Sequence, residues 1–333
     1  MKKVLVLFLV ALLILSSSMA LAGETKPLKI GYYGMSPNAG FSKEFFESVK
    51  NAVDAHGHEM IPIYTDFDAA KMRSAYEQFK MQGVDVIIDE NEIKDSMTPF
   101  VEQALIDGIP YIACFVTYDE IPEAYTYGPS NQQMGAASGE FLGKIVAEEW
   151  DGKCDLILMV GTFASAPDIT VRLTSALPVF SEYVDTTNTK VQEIAATAGN
   201  ASASFQLVMD ALTANPGKKT VIFCQTDDMA NAAQAAVEAA GRANDVVLTG
   251  SDCIDAAQEY WQTAIKEGNL TAPWRGSVFL NTSTWGEAVI EMAEKMVAGT
   301  QEEHNVVAKV AVAGMSNWEE FFPDLMERDF KKN

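Results

Sequence analysis

The sequence lacks the short motifs by which many enzymes are recognised. It contains no GxSxG nucleophile elbow and no complete GxGxxG dinucleotide loop. It has only three histidines and four cysteines, and the cysteine spacing matches no zinc-binding pattern. We therefore expect no catalysed reaction, no cofactor and no bound metal.

Basic residues are also scarce. The chain carries 24 lysines and arginines against 46 aspartates and glutamates, which gives a formal net charge of −22. A surface of this charge repels the phosphates of nucleic acids and anionic lipid head groups. We therefore exclude nucleic acid from the expected partners.

Only the N-terminus has a long apolar run. Residues 4–15 are uninterruptedly apolar, Lys2 and Lys3 precede them, and small residues follow up to Ala22. This is the three-part layout of a secretory signal peptide, and the run is too short for a comfortable membrane span. We expect residues 1–22 to be removed and the protein to reside in the periplasm. A retained N-terminal anchor is the alternative.

The cysteines fall mostly in apolar surroundings. Cys114, Cys154 and Cys224 each lie in an apolar, strand-like run, where a free thiol serves as a small core residue. We expect mostly buried thiols, with a Cys224–Cys253 disulfide as the second choice.

Short apolar runs alternate with amphipathic stretches along the whole chain, and the alternation restarts near residue 131. Such alternation predicts βαβ units with parallel strands, here an α/β protein of two doubly wound lobes. A final amphipathic helix is predicted over residues 317–330. The predicted strands are 28–33, 59–64, 84–89, 111–115, 154–160, 190–196, 220–224 and 246–250; the predicted helices are 41–56, 68–82, 97–107, 131–150, 169–180, 202–214, 228–240 and 254–267.

Two clusters of chemically capable side chains remain ambiguous. Asp227 and Asp228 follow a strand directly, and they suggest a general acid–base pair, a metal site or the edge of a binding pocket. Neighbouring side chains point in different directions, so we favour a carboxylate that caps the next helix. His56 and His58 flank Gly57; a metal pair is possible, and a capped, solvated helix end is favoured.

Several longer segments, taken in order, carry a family resemblance. They are LKIGYYGMSPNAGF, GVDVIIDENEIKDSM, YGPSNQQMGAASGEFLG, ANPGKKTVIFCQTDDMANAAQAAVEAAG and VVLTGSDCIDAAQEY. With them, the chain beyond residue 22 resembles the periplasmic sugar-binding proteins of the ribose-binding type, the receptors of ABC importers.

This resemblance implies the type I periplasmic binding protein fold, in which two Rossmann-like lobes are joined by three crossings and close on an untransformed ligand. The N-terminal lobe would comprise residues 23–129 and 281–310. The C-terminal lobe would comprise residues 130–280 and 311–333. The implied partners are a small-molecule ligand and an ABC permease in the inner membrane, and we expect a monomer.

The resemblance also implies a ligand site. Phe41 matches a sugar-stacking aromatic, Asn131 a contact near the hinge, and Asp252 an acid that accepts ligand hydroxyls. Thr226 stands where asparagine is usual, before the matching Asp227. The other predicted site residues are Asn38, Glu90, Phe115, Thr170, Asn200, Leu280 and Asn281.

Some of these positions depart from the sugar-binding pattern. Phe115 and Val116 replace an aspartate and an arginine, Thr170 another arginine, Asn200 a second stacking aromatic, and Leu280 a glutamine. Arg172 matches an arginine that is usually structural. A ligand hydroxyl buried without a partner costs about 1–3 kcal/mol, so a less polar cleft favours a ligand with fewer hydroxyls than an aldopyranose, or with an apolar face.

We therefore expect a sugar, deoxysugar or polyol as ligand. The surplus of carboxylates leaves a small cationic ligand as an alternative. A sensor protein that presents its ligand to a chemoreceptor or histidine kinase is another. Phe115 and Asp252 also have plain structural interpretations, as the end of a sheet core and as a cap of the helix near Ile254.

Overall fold

The computed structural model describes residues 26–37, 40–66, 68–91, 93–118, 120–164, 167–196 and 203–330. The predicted signal peptide lies outside these ranges, as do the predicted site residues Asn38 and Asn200. Within the described ranges, no helix has both the length and the apolar character needed to cross a membrane.

Two six-stranded sheets organise the described chain, in the orders β11-β5-β4-β3-β1-β2 and β12-β10-β9-β8-β6-β7. All neighbouring strands pair in parallel except β10 and β12, so the predicted doubly wound α/β fold is confirmed. The strands are β1 (Lys29–Gly34), β2 (Glu59–Tyr64), β3 (Val86–Asp89), β4 (Tyr111–Cys114), β5 (Tyr125–Pro129), β6 (Leu156–Gly161), β7 (Lys190–Ala195), β8 (Thr220–Cys224), β9 (Val246–Ser251), β10 (Trp274–Phe279), β11 (Asn305–Ala308) and β12 (Ala311–Gly314). The helices are α1 (Gly40–Ala55), α2 (Ala69–Gln82), α3 (Lys94–Asp107), α4 (Asn131–Trp150), α5 (Pro167–Phe180), α6 (Ser204–Ala214), α7 (Asp227–Ala239), α8 (Asp255–Lys266), α9 (Thr282–Val297) and α10 (Trp318–Phe321).

The chain passes between the two sheets at three places. It leaves the first sheet after β5, returns to it after β10, and leaves it again between β11 and β12. Strand β11 pairs with β5, whereas β12 pairs with β10. On this basis we propose the lobe boundaries given above, with residues 281–310 in the N-terminal lobe and residues 311–333 in the C-terminal lobe.

Glycine contacts set how closely the helices of each lobe pack. On α4, a Cβ at Gly135 would lie 2.1 Å from the carbonyl oxygen of Arg172 in α5. On α9, a Cβ at Gly286 would lie 2.2 Å from the carbonyl oxygen of Ser48 in α1. Only glycine allows these backbones to approach so closely, and the first contact brings Arg172 beside the start of α4.

The predicted helix over residues 317–330 is wrong. The segment forms only the short α10 and a 3₁₀ turn at Leu325–Glu327. Pro323 lies between them, and proline lacks the N–H that a continuous helix needs and restricts the residue before it. Phe322 and Leu325 are nevertheless buried against the second sheet's core, so the segment covers the lobe as expected.

All four cysteines are free and buried. The predicted buried thiols are therefore confirmed, and the alternative Cys224–Cys253 disulfide is not formed. Burial raises the pKa of the Cys224 thiol well above its usual range, which keeps it protonated and unreactive.

Candidate functional site

Sharp turns follow three strands at the carboxyl edges of the sheets. Phe115 follows β4 with a φ of 72°, Asp252 follows β9 with a φ of 113°, and Asn281 lies just beyond β10 with a φ of 48°. Residues with side chains rarely adopt positive φ, and such conformations cluster at ligand sites. Ligands of open α/β sheets bind at this same edge.

Thr226, not a carboxylate, caps helix α7. Its side-chain oxygen accepts a 3.4 Å hydrogen bond from the backbone N–H of Met229. The expectation that Asp227 or Asp228 caps this helix is therefore wrong. Thr226 caps the helix because it occupies the N-cap position, one residue before Asp227, where a side-chain oxygen can accept a bond from a free backbone N–H.

Asp227 braces the loop that follows β9. Its Oδ1 accepts a 2.6 Å hydrogen bond from the Ser277 hydroxyl, and its Oδ2 accepts a 3.1 Å bond from the backbone N–H of Ile254. The side chain is fully buried, and burial raises the pKa of the carboxyl well above its usual value. A Cβ at Gly250 would lie 2.1 Å from Oδ1, so glycine is required there. The brace fixes the turn that carries Asp252.

Arg172 brings two predicted site residues together. Its Nε donates a 2.8 Å hydrogen bond to Asn131 Oδ1, and its Nη1 donates a 3.2 Å bond to the carbonyl oxygen of Gln225. Nη1 also lies 4.0 Å from Asp252 Oδ1. Thr170 lies two residues earlier on α5 and is buried as well. The sequence interpretation gave Arg172 only a structural role, yet it is the one basic residue of helix α5 and contacts two predicted site residues.

A buried aromatic cluster joins the start of α1, the residue after β4 and the first turn of α9. The ring centroids of Phe41 and Phe115 are 4.8 Å apart, and those of Phe115 and Trp285 are 5.5 Å apart. Leu280 is buried in the same cluster, and so is Ile254, which belongs to the loop after β9 in the other sheet. The two lobes therefore meet at this cluster, two residues from Asp252. Trp285 was missed by the sequence interpretation; its position just after a crossing was the available signal.

Glu90 is fully buried beneath the loop between β1 and α1. It accepts hydrogen bonds from the hydroxyls of Tyr32 and Ser42, and from the backbone N–H of Met35 at 3.1 Å. Burial raises the pKa of Glu90 to about 8. The carboxyl group of Glu90 thus anchors the segment that leads to Phe41. A direct contact between Glu90 and the ligand stays a prediction.

Of the remaining predicted residues, Asn38 and Asn200 lie outside the described ranges, and Asn281 follows β10. Asn281 is exposed at the N-cap of α9 and makes no side-chain cap hydrogen bond there. Ile254, rather than Asp252, occupies the N-cap position of α8.

A second contact between the lobes joins α1 to the start of α8. Burial raises the pKa of Glu44 to about 7. The negative charge of Asp255 raises this pKa further, whereas a hydrogen bond from the backbone N–H of Asp255 lowers it. Glu44 of α1 and Asp255 of α8, acidic residues from different lobes, therefore lie close together, with Glu44 partly buried and Asp255 exposed.

The family to which the chain is related follows from a domain-level match. The sequence pattern of the periplasmic binding protein domain matches residues 30–301. The chain belongs to the periplasmic binding protein family. Its predicted resemblance to the ribose-binding type is confirmed by relatives in the same family.

This periplasmic binding protein is 25% identical over 277 residues to a D-ribose/D-allose-binding protein of Pseudomonas aeruginosa, a match that covers 79% of this chain and 81% of the relative. It is also similar to an ABC transporter periplasmic solute-binding protein of Actinobacillus succinogenes solved with bound D-allose. That match has a TM-score of 0.76 and 19% identity, and it covers 89% of this chain and all of the other.

A solute-binding protein of Bacillus halodurans solved with bound myo-inositol is similar as well. The TM-score is 0.73 at 21% identity, with 90% of this chain and 99% of the other covered. At these identities the likeness to the solved structures concerns the fold. None of the three names describes a catalysed reaction.

Proposed function

We propose that this protein is a periplasmic receptor of an ABC importer that captures a small polyhydroxylated ligand between its lobes and releases it unaltered. The observation that carries the proposal is the pairing of two surfaces at the strand ends. A polar group of Asn131, Arg172 and Asp252 belongs to the C-terminal lobe and its hinge. The aromatic cluster around Phe41 and Phe115 belongs to the N-terminal lobe.

The polar group suits hydroxyl recognition. Asp252 offers carboxylate oxygens as acceptors, and Asn131 offers both a donor and an acceptor. Arg172 holds Asn131 by a 2.8 Å hydrogen bond, so the amide is oriented before a ligand arrives. Preorganised polar groups opposite an aromatic wall are the usual composition of a small-molecule site.

The apolar substitutions favour a less hydroxylated ligand. Phe115 and Leu280 are buried within one hydrophobic cluster, and Val116 is buried in another. A hydroxyl facing these side chains would lose its partner from water without gaining one from the protein. A deoxysugar, a polyol or a sugar with an apolar substituent fits better than a fully hydroxylated aldopyranose. The buried guanidinium of Arg172 disfavours the alternative of a cationic ligand.

Closure supplies the mechanism of capture. A ligand can shift two conformations only by the difference of its affinity for them, so contacts from both lobes are needed. The contact of Ile254 with the aromatic cluster spans the lobes, and separating them would expose both surfaces. The protein would reach the periplasm through cleavage of residues 1–22 and dock, in its closed form, on an inner-membrane permease.

A ligand screen tests the proposal. Tag-free protein comprising residues 23–333 is heated with D-ribose, D-allose, myo-inositol, glycerol, deoxysugars and small amines, and each hit is titrated by calorimetry. At 100 times its dissociation constant, a ligand adds about 2.7 kcal/mol to stability, which raises the melting temperature by several degrees.

We expect a deoxysugar or polyol to stabilise the protein, and Asp252→Ala to weaken its binding while the exposed Glu259→Ala leaves it unchanged. Stabilisation only by common pentoses and hexoses would contradict the less polar cleft. Stabilisation by amines alone would contradict a polyhydroxylated ligand, and chemical conversion of the ligand during a long incubation would contradict the receptor assignment.

A further inference from the structure

A second cluster of chemically capable side chains lies on the N-terminal lobe, at the end of α1 opposite to Phe41. The 16 residues of α1 span about 24 Å at 1.5 Å per residue, so this cluster is remote from the proposed ligand cleft. His56 and His58 follow α1, and Glu294 lies in the last turn of α9. One potential ligand atom from each of these three side chains lies within 4.8 Å of the other two.

The turn at Gly57 directs both imidazoles toward α9. Its φ of 72° is one that glycine adopts freely, and the two ring centroids are 5.9 Å apart. His56 Nδ1 lies 3.0 Å from Glu294 Oε1, and His58 Nε2 lies 2.9 Å from the same oxygen. The His58 side chain is fully buried, whereas those of His56 and Glu294 are each 22% exposed. The expected solvated helix end is therefore wrong for His58, because α9 covers it.

We propose that His56 Nδ1, His58 Nε2 and Glu294 Oε1 bind a zinc ion. Zinc prefers imidazole nitrogen and carboxylate oxygen at about 2.0–2.1 Å, which in a tetrahedral site separates neighbouring ligand atoms by about 3.3 Å. The observed nitrogen–oxygen distances of 2.9 and 3.0 Å require an expansion of a few tenths of an ångström. The partly exposed side leaves the fourth position to water. Two imidazoles and one carboxylate favour zinc over calcium and magnesium, which prefer all-oxygen sites.

Glu287 supplies the outer contact that metal-binding histidines commonly have. Its Oε1 lies 2.9 Å from His56 Nε2, the ring nitrogen that faces away from Glu294. A carboxylate in this position keeps the proton on Nε2 and leaves Nδ1 directed at the metal. Glu287 and Glu294 are seven residues apart, so they lie on the same face of α9. A single helix therefore provides both the zinc ligand Glu294 and the carboxylate that orients His56.

Zinc binding requires a change of tautomer at His58. The Nδ1 of His58 accepts a 3.2 Å hydrogen bond from the backbone N–H of Leu28, so the proton of this imidazole resides on Nε2. Metal binding at Nε2 moves that proton to Nδ1, which then faces the Leu28 N–H. Leu28 immediately precedes β1, so a shift of this strand entry relieves the conflict. We therefore expect weaker binding than at closed structural zinc sites, whose ligands need no such change.

Zinc binding is measured on tag-free, metal-free protein comprising residues 23–333. Calorimetry with ZnCl₂ should give one ion per chain, and zinc should raise the melting temperature in a manner that EDTA reverses. Visible absorption of the Co²⁺-loaded protein should show the bands of a four-coordinate site. Mg²⁺ and Ca²⁺ should raise the melting temperature much less than Zn²⁺.

Variants locate the ion. His56→Gln and Glu294→Gln should each weaken zinc binding at least about tenfold, and Glu287→Gln by about 10-fold to 100-fold. Glu291→Gln is the matched control, because Glu291 lies on the same helix and pairs with Lys295 instead. Melting of each metal-free variant shows whether it has folded, and Glu287→Gln, which changes no direct ligand, keeps the test valid if a ligand variant does not fold.

Three results would overturn the proposal. They are the absence of stoichiometric zinc binding to the wild-type protein, unchanged affinity in both Glu294→Gln and His56→Gln, and equal stabilisation by Mg²⁺ or Ca²⁺, which would indicate general binding to the acidic surface.

Discussion

Replacing Glu90 by glutamine tests how the loop before α1 is held. Glutamine has nearly the shape of a protonated glutamate, with one oxygen that accepts and one amide that donates. The carboxyl group is fully buried among Tyr32, Ser42 and the backbone N–H of Met35, and burial raises its pKa to about 8. Glu90→Gln should therefore mimic the protonated form that the fold contains at neutral pH.

The sign of the pH dependence follows from the raised pKa. Between the ordinary value of 4.5 and about 8, folded Glu90 keeps its proton while the unfolded chain has lost it. Its contribution to stability is therefore greatest at low pH, falls as pH rises through this window, and is constant above it. From pH 5 to pH 8.5 the loss amounts to about 4 kcal/mol, at 1.36 kcal/mol per pKa unit.

Urea unfolding of both proteins at pH 5, 7 and 8.5 provides the assay. The stability of Glu90→Gln relative to wild type should increase by about 4 kcal/mol over this range. The neighbouring buried Asp89, whose charge also raises the pKa of Glu90, is present in both proteins. Glu47→Gln, which removes an exposed carboxylate of α1, should run parallel to wild type. Parallel curves for Glu90→Gln and wild type would refute a buried, protonated Glu90.

Three other variants probe the site and its supports. Arg172→Lys cannot keep the bond to Asn131, and losing buried hydrogen bonds worth about 1–3 kcal/mol each should weaken ligand binding about 10-fold to 100-fold by calorimetry; unchanged affinity would remove Arg172 from the site. Gly286→Ala places a Cβ 2.2 Å from the Ser48 carbonyl oxygen and should lower the melting temperature by several degrees, since backbone cannot yield cheaply; an unaltered temperature would refute the close packing of α1 and α9. Burial between the lobes raises the pKa of Glu44 to about 7, so lobe closure takes up a proton. Ligand affinity should therefore fall as pH rises from 6 to 8, and Glu44→Gln should flatten this pH dependence. A Glu44→Gln profile identical to that of the wild type would contradict a role of Glu44 in closure.

Much of the fold could be predicted because strands and helices depend on short stretches of neighbouring residues. The strand predicted over residues 220–224 and the helix predicted over 131–150 coincide with β8 and α4. Apolar runs bounded by turn residues mark buried parallel strands, and a serine before a periodic stretch marks a helix start. The helix predicted over 317–330 failed because periodicity was given more weight than Pro323.

The chemistry of the site depends on contacts that lie far apart in sequence. Asp227 meets Ser277 across 50 residues, and Arg172 meets Asn131 across 41. Periodicity shows which face of a helix is buried, but it does not show which neighbour that face meets. For this reason the sequence pointed to Asp227 as a helix cap, whereas the structure uses it to brace a distant loop.

A crystal structure of the protein with the ligand selected by the screen would show where capture takes place. We predict one ligand molecule between the lobes, with hydroxyls bound by Asn131 and Asp252 and its apolar face against Phe41 or Phe115. A ligand bound within one lobe, or at a surface away from these side chains, would contradict it.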